Sequence, residues 1–351
     1  MTIVGHISES DMPAVADTPV AARLTDVVKT YELRQTSLFK PRPTLQAVAG
    51  VNLTIGRGES VGLVGESGSG KSTVARLLMR LVPATAGKIE VGGQDITNLR
   101  GEALRAVRRR VQMVFQDPYS SLDPTSTIGD SIAEPLVTHF KDMSAHDRNR
   151  RVRELLEHVN LSAKHLERYP SEMSGGQLQR AAIARAISVK PELLVLDEPV
   201  SALDVSTQSQ VLNLLKDLQE QDGLSYLFIS HDLSIVRYIS QRIAVMYLGR
   251  IVETGPVQRI YGQALHPYTR SLLSAVPVAD PARQRSAKRQ ILKGDIPSPT
   301  SPPSGCRFRT RCPVAMPVCS VEDPPPYTLA AGGGVSFCHL NHPLPDGHRP
   351  A

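Results

Sequence analysis

Cysteine is absent from the first 305 residues of this 351-residue chain, and no apolar run approaches the roughly 18 residues that cross a bilayer. The second absence excludes a membrane-spanning helix. The N-terminus, MTIVGHISESDMPAVADTPV, lacks both a basic start and an apolar core, so it does not read as a secretory signal. Residues 1–22 are expected to form a loose tail, and the chain to be cytosolic or held at a membrane by partners. No internal repeat is visible. What is present describes an ordinary globular protein: 41% hydrophobic and 21% charged residues, long enough for a large domain plus a small one. The net charge is +6, and residues 283–311 carry eight Arg or Lys against one acid, Asp295. A solvated basic face is the simpler reading of that run, ahead of a nucleic-acid contact.

Periodicity then supplies the architecture. SVGLVGESGSGKSTVARLLMRLV reads as strand, glycine loop and helix, with Val74, Leu77, Leu78 and Leu81 on one helical face. GKIEVGGQDI reads as a short strand entering a Gly-Gly turn. In MSAHDRNRRVRELLEHV, Ser144 and Asp147 can cap a helix whose stripe is Val152, Leu155, Leu156 and Val159. PELLVLDEP is an apolar run ending in acids, as a buried parallel strand would. A helix through Val211, Leu214, Leu215 and Leu218 follows, then strands in LSYLFISHD and RIAVMYLGRIVETG. Alternation of this kind predicts a mostly parallel sheet covered on both faces. From about residue 263 the texture changes, and after the proline-rich DIPSPTSPPSG the chain is too short and polar for a large core.

The chemistry concentrates in two places. Gly65-Glu66-Ser67-Gly68-Ser69-Gly70-Lys71-Ser72 satisfies G-x-x-x-x-G-K-[ST] between a predicted strand and helix. Glycines let backbone N–H groups converge on a phosphate, and the helix N-terminus adds partial positive charge. Lys71 suits the β- and γ-phosphates, and Ser72 a Mg²⁺ ion. Downstream, LLVLDEP ends in Asp197 and Glu198, at the strand end that would face the loop. Asp197 suits the Mg²⁺ shell, which leaves Glu198 to polarise a water.

MSGGQLQR narrows the field, because Ser174-Gly175-Gly176-Gln177 opens an apolar-striped helix just before the acidic strand. In that order the motifs resemble the ATP-binding cassette (ABC) family over residues 23–262. Tyr31 in VVKTYEL matches the adenine-stacking aromatic, Gln116 in VFQDP the Q-loop, SALD ending at Asp204 the D-loop, and His231 in FISHD the switch histidine. LHPYTRSLLSAVP and PSPTSPPSGCRF resemble the C-terminal extension of ATPase subunits from dipeptide, oligopeptide and nickel importers. Met173 and Val200 depart from the family's usual leucine and threonine, at positions whose side chains do not bind nucleotide.

The resemblance implies an α/β fold: a P-loop (RecA-like) ATPase core with an antiparallel β subdomain, a helical subdomain and a small cysteine-containing extension over 263–351. It implies ATP held between two cassettes. The loop through Thr73 and Lys71 would hold the triphosphate, with Mg²⁺ on Ser72, Gln116 and Asp197. Ser174 and Gly176, with Gly175 and Gln177, would close on it from the partner. Glu198 would act as general base and His231 would orient the γ-phosphate. The partners implied are a second cassette, more often a related chain, two membrane permeases and an extracytoplasmic peptide-binding protein. That arrangement puts the chain at the cytoplasmic face of the membrane. The rival reading, a soluble ABC ATPase acting on nucleic acid or ribosomes, expects two cassettes or a long coiled-coil insertion, and this chain has neither.

The four cysteines run C-x₅-C-x₆-C-x₁₈-C: Cys306, Cys312, Cys319 and Cys338. A disulfide pair suits a cytosolic protein poorly. Thiols clustered in a segment too small to fold alone ask for a metal staple. Zinc is one reading, with His339 as an alternate ligand, although no tight C-x₂₋₄-C pair occurs. A four-iron four-sulfur cluster is the other. The importer ATPases that this extension resembles are thought to carry such a cluster, and all four cysteines match its pattern.

Overall fold

A computed structural model describes residues 19–33, 42–276, 292, 294–329 and 333–342. Of the expected tail at 1–22, residues 1–18 lie outside the described residues, as does most of the basic run at 283–293. Val20, Ala21 and Ala22 instead begin the first strand, with both alanines buried by their pairing in the sheet. Two sheets organise the chain. The smaller is antiparallel, in the order β2 (Thr44–Gly56), β1 (Val20–Glu32), β4 (Ala86–Val91), β5 (Gln94–Asp95). Leu24, Val27, Val51, Leu53, Ile89 and Val91 point from it into one apolar cluster. The Gly-Gly turn of GKIEVGGQDI is the hairpin between β4 and β5.

The larger sheet has a parallel centre and an antiparallel flank. β9 (Arg242–Tyr247), β3 (Ser60–Val64), β8 (Ser225–Ile229), β7 (Leu193–Asp197) and β6 (Val111–Val114) run parallel. β3 and β8 are buried at every position, as continuous apolar strands covered on both faces should be. The site follows from this topology, because β3, β7 and β8 deliver the glycine loop, Asp197 and His231 to one edge.

Helices cover the faces. α1 (Lys71–Leu78) leaves the glycine loop, and α2 (Gly101–Arg110) precedes β6. α3 (Pro118–Ser121), α4 (Ile128–His139) and α5 (Ala145–His158) form a helical region against α6 (Gly175–Ile187). Ser144 caps α5 by accepting the Asp147 N–H, and its predicted stripe is buried. The α1 stripe ends earlier than its spacing predicts. Arg80 turns to φ 51°, so Leu81 leaves the helical face and stands 49% exposed. α7 (Val205–Asp222) and α8 (Leu233–Ile239) lead into β8 and β9.

The C-terminal part joins this core instead of standing apart from it. After β10 (Arg250–Pro256), α9 (Val257–Gln263) and α10 (Pro267–Ser274), the chain returns as β11 (Pro326–Leu329) and β12 (Gly334–Phe337). β12 pairs antiparallel with β10, Glu253 opposite Ser336. Gly334 sits at φ 101° where a Cβ would lie 2.0 Å from the Thr254 carbonyl, so glycine is required at this crossing. Glu253 is fully buried beneath it, paired with Arg259 and accepting the N–H groups of Leu265 (2.9 Å) and His266 (3.0 Å). Phe308 packs its ring 5.3 Å from both Tyr247 and Tyr268. The segment too short to make a core uses the one already present.

Candidate functional site

The glycine loop between β3 and α1 is built around close approaches. A Cβ on Gly65 would meet the Met246 carbonyl at 2.1 Å, and Gly70, at φ 108°, would meet the Ala47 carbonyl at 2.3 Å. Ser69 N–H donates to the Glu66 carbonyl (3.1 Å) and Thr73 N–H to the Gly70 carbonyl (3.0 Å), while Ser67 and Gly68 are exposed at the tip. Lys71 is buried and donates to the carbonyls of Gly65 (2.8 Å) and Glu66 (3.0 Å). Burial pushes its ammonium pKa down, opposed by the carboxylates of Glu198, Asp197 and Glu66. A buried cation facing an open glycine loop is a site for an anion.

Across the sheet edge, Ser72 Oγ donates to Asp197 Oδ1 at 3.4 Å. Burial holds the Asp197 carboxyl above its usual range, with Glu198 adding to the effect. A hydroxyl beside a half-buried carboxylate is a hard-oxygen donor pair that fits Mg²⁺. Glu198 stands at φ 49°, an uncommon setting for a non-glycine residue, and its side chain is 18% exposed. Both of its oxygens are engaged: Gln116 Nε2 donates to Oε2 (3.0 Å), and His231 Nδ1 lies 3.1 Å from Oε1. Three residues separated by up to 115 positions thus meet at one carboxylate.

Other expected residues occupy a different face. Ser174 caps α6 reciprocally with Gln177: Ser174 N–H donates to Gln177 Oε1 (3.0 Å), and Gln177 N–H to Ser174 Oγ (3.4 Å). A Cβ on Gly176 would strike Thr207 Cγ2 at 2.3 Å, which fixes glycine where α6 meets α7. Asp204 caps α7. It accepts from Ser206 Oγ (2.5 Å), Thr207 Oγ1 (2.7 Å) and Thr207 N–H (3.0 Å), and these bonds hold its carboxyl well below the usual range. A polar groove of about 310 Å³ opens beside Ser174, Gly176 and Gln177, walled by His165, Arg180 and Thr207 and by no residue of the glycine loop. Gly175 lies at the groove's helix start, half-buried. Tyr31 closes β1 in the other sheet, with Lys29 Nζ 4.8 Å over its ring.

Comparison with known proteins gives these arrangements a family. A profile described as ABC transporter matches residues 48–201, and one described as oligopeptide/dipeptide transporter, C-terminal region, matches 252–319. The chain is 49% identical over 318 residues to the oligopeptide transport ATP-binding protein AppF of Bacillus subtilis, covering 90% of this chain and 96% of that protein. It is 48% identical over 307 residues to OppF of Salmonella typhimurium, an oligopeptide transport ATP-binding protein, covering 87% and 92%. The chain belongs to the ATP-binding subunits of oligopeptide ABC transporters. Among solved structures, it is similar to the cassette MJ0796, described as a dimer in a post-hydrolysis state bound to ADP and Pi. That match has TM-score 0.60 and 32% identity, over 67% of this chain and 98% of the other. The chain is therefore an ATPase of this family, and its relatives favour transport over the nucleic-acid alternative. No helix among the described residues is long and apolar enough to cross a membrane.

The matched C-terminal region contains Cys306, Cys312 and Cys319, and Cys338 lies beyond it. All four cysteines are free, Cys319 and Cys338 buried, Cys306 and Cys312 half-buried. Cys306 N–H donates to the Cys319 carbonyl at 2.9 Å. Burial pushes the Cys306 thiol up to about 11 and the Cys338 thiol up to about 12, and the neighbouring thiols add to both shifts. The four thus lie within electrostatic reach of one another. Even so, no group of three or more His, Cys, Asp or Glu among the described residues is arranged to hold a metal ion. His339 is engaged elsewhere, with Nε2 3.1 Å from the Glu322 carbonyl.

Sequence reasoning missed two contributors to this cassette's loop. The Arg311 guanidinium grips Glu66 with both terminal nitrogens, and the Tyr268 hydroxyl accepts the Glu66 N–H. A signal was present: an acid inside an anion-binding loop calls for a cation.

Proposed function

We propose that this chain is the ATP-hydrolysing subunit that powers import of di- or oligopeptides, with residues 23–262 as the nucleotide-binding domain and 263–351 as its extension. The observation that carries the reading is Glu198 held between Gln116 and His231, beside the Ser72–Asp197 pair and the Lys71 cradle. In this reading Lys71 and the backbone amides of 68–73 bind the triphosphate, and Tyr31 stacks on the adenine. Ser72, Asp197 and Gln116 would hold Mg²⁺, which supplies charge neutralisation to the bound phosphates. Glu198 accepts the proton of the attacking water, with both carboxylate oxygens already oriented, and His231 positions the γ-phosphate. Gln116 touches Glu198 and lies between exposed Phe115 and Tyr119, which suits a residue that reports nucleotide state to a membrane partner.

The partners in this reading are a second, related cassette, two membrane permeases at the cytoplasmic face and, through them, an extracytoplasmic peptide-binding protein. The groove at Ser174 and Gly176 is open to receive the γ-phosphate of ATP bound by the second cassette. Asp204 lies beside that groove as the cap of α7. The four thiols are read as ligands of a four-iron four-sulfur cluster. That reading rests on the donor set, four cysteines gathered in one small segment. Bound there, a cluster would cross-link the segments at 306–319 and 338.

Extraction in detergent and capture of the intact chain tests the whole reading. Two permeases, a related cassette, and about four irons and four sulfides per chain are expected. Nucleic acid in their place would overturn the transport reading, and one zinc per chain would overturn the cluster.

A further inference from the structure

The phosphate loop carries an acid where a polyanion has to bind. Glu66 lies between Gly65 and Ser67, and an uncompensated carboxylate there opposes every phosphate the loop is shaped to hold. The compensation comes from the far end of the chain. Arg311 Nη1 lies 2.6 Å from Glu66 Oε2 and Nη2 lies 3.1 Å from Oε1, a bidentate pair. The Arg311 side chain is 8% exposed and that of Glu66 24%, so water screens the pair weakly. The Tyr268 hydroxyl accepts the Glu66 N–H at 2.9 Å, and Lys71 donates to the Glu66 carbonyl. Glu66 is therefore fixed at its side chain, its N–H and its carbonyl, and two of those three contacts come from residues of the C-terminal extension. The aromatic cluster of Tyr247, Tyr268 and Phe308 supports both: its rings are 4.7–5.3 Å apart, and the Arg311 guanidinium lies 5.9 Å from the Tyr247 ring.

We infer that Arg311 and Tyr268 are positioning residues of the phosphate loop. Arg311 cancels the Glu66 charge and ties that carboxylate to the extension, and Tyr268 sets the peptide at 65–66. This inference rests on the reading of 65–73 as the triphosphate cradle. It differs from a merely structural strut in one respect: its effect depends on the charge of the ligand. Removing the Arg311 cation leaves a bare carboxylate in the loop, and the resulting repulsion grows with the number of phosphates bound. A strut that only stiffened the fold would weaken all adenine nucleotides alike.

The test is equilibrium binding of ATP, ADP and AMP, each with Mg²⁺, to the full chain at low and high salt. Arg311→Gln should weaken ATP about tenfold, or about 1.4 kcal/mol, ADP less and AMP least, with the spread narrowing in high salt. Arg311→Lys should recover part of the loss, since it keeps the charge without the bidentate fork. Adding Glu66→Gln to Arg311→Gln should restore most of the ATP affinity, because the offending charge is then gone. Tyr268→Phe removes one hydroxyl and should weaken ATP about threefold, which keeps the test alive if the arginine variants fold poorly. Equal loss of all three nucleotides in Arg311→Gln, or a double variant weaker than the single, would overturn the inference. Unchanged binding in Tyr268→Phe would overturn its tyrosine half. Unchanged ATP binding in Lys71→Ala would overturn the cradle reading itself, an outcome distinct from the others.

Discussion

The phosphate loop, Glu66 apart, bonds mostly to residues close in the chain, whereas the C-terminal extension leans on the cassette. Lys71 reaches carbonyls five and six residues back, and Ser69 and Thr73 bond within three. Phe308 instead packs on Tyr247, Arg307 donates to the Leu248 carbonyl and to Gln46, and the β11–β12 hairpin joins the larger sheet through β10. The bonds the loop makes to itself are thus local, and Glu66 is the residue through which it is tied to distant parts of the chain. The extension shares its apolar packing and a strand edge with this cassette, and in return it holds Glu66. A segment that looks dispensable from its composition is packed against the back of the nucleotide site.

The largest expected effect tests that dependence. Phe308→Ala should destabilise the cassette itself by about 3–5 kcal/mol, read as a shift in the main denaturant transition. If only a separate, weaker transition moved, the extension would be an independent unit and the contrast would fail. Lys71→Ala probes the local side. Removing a buried cation from its anion should cost ATP binding about 2–5 kcal/mol, measured by titration, while the denaturant midpoint moves far less. Equal damage to binding and to folding would blur the two regions into one.

The next effect concerns pH at the seam. His266 is completely buried, its Nδ1 accepts the Tyr268 N–H at 3.1 Å, and burial pushes its pKa down to about 3. Because the folded value lies below the ordinary 6.5, the unfolded chain binds the proton first. The stability from neutral His266 is full above about pH 6.5 and is lost as pH falls toward 3, by up to about 1.4 kcal/mol per pH unit. Replacing it with Gln should flatten that slope in denaturation curves taken across the interval. An unchanged slope would mean His266 is not the group responsible. Smallest is the adenine contact: Tyr31→Ala should weaken ATP by about 0.5–1.5 kcal/mol and Tyr31→Phe scarcely at all. Unchanged affinity in the alanine variant would assign the stack to another residue.

The same contrast explains what was legible in the sequence. The glycine loop, Asp197 and Glu198 were readable because a strand, a turn and a helix impose their residue types over a dozen positions. Gln116 and His231 were readable only through family order, since nothing local says that both would meet Glu198. The α1 stripe was overextended to Leu81, because the turn at Arg80 is set by a backbone angle that side-chain spacing does not record. The extension's role was not legible at all. Arg311 and Glu66 are 245 positions apart, and HPYTR reads as an ordinary helix start until its tyrosine is seen under the loop. The thiols were legible as a group but not as a geometry, since spacing counts residues and leaves the folded path open.

The most direct test of the ATPase assignment separates binding from turnover. ATP binding and phosphate release are measured on the same preparation, wild type against Glu198→Gln. Losing the general base should slow phosphate release by about 10²–10⁴-fold while ATP affinity stays within about threefold, because Gln keeps the shape between Gln116 and His231. Release at the wild-type rate in Glu198→Gln would contradict the assignment of the carboxylate that organises this site.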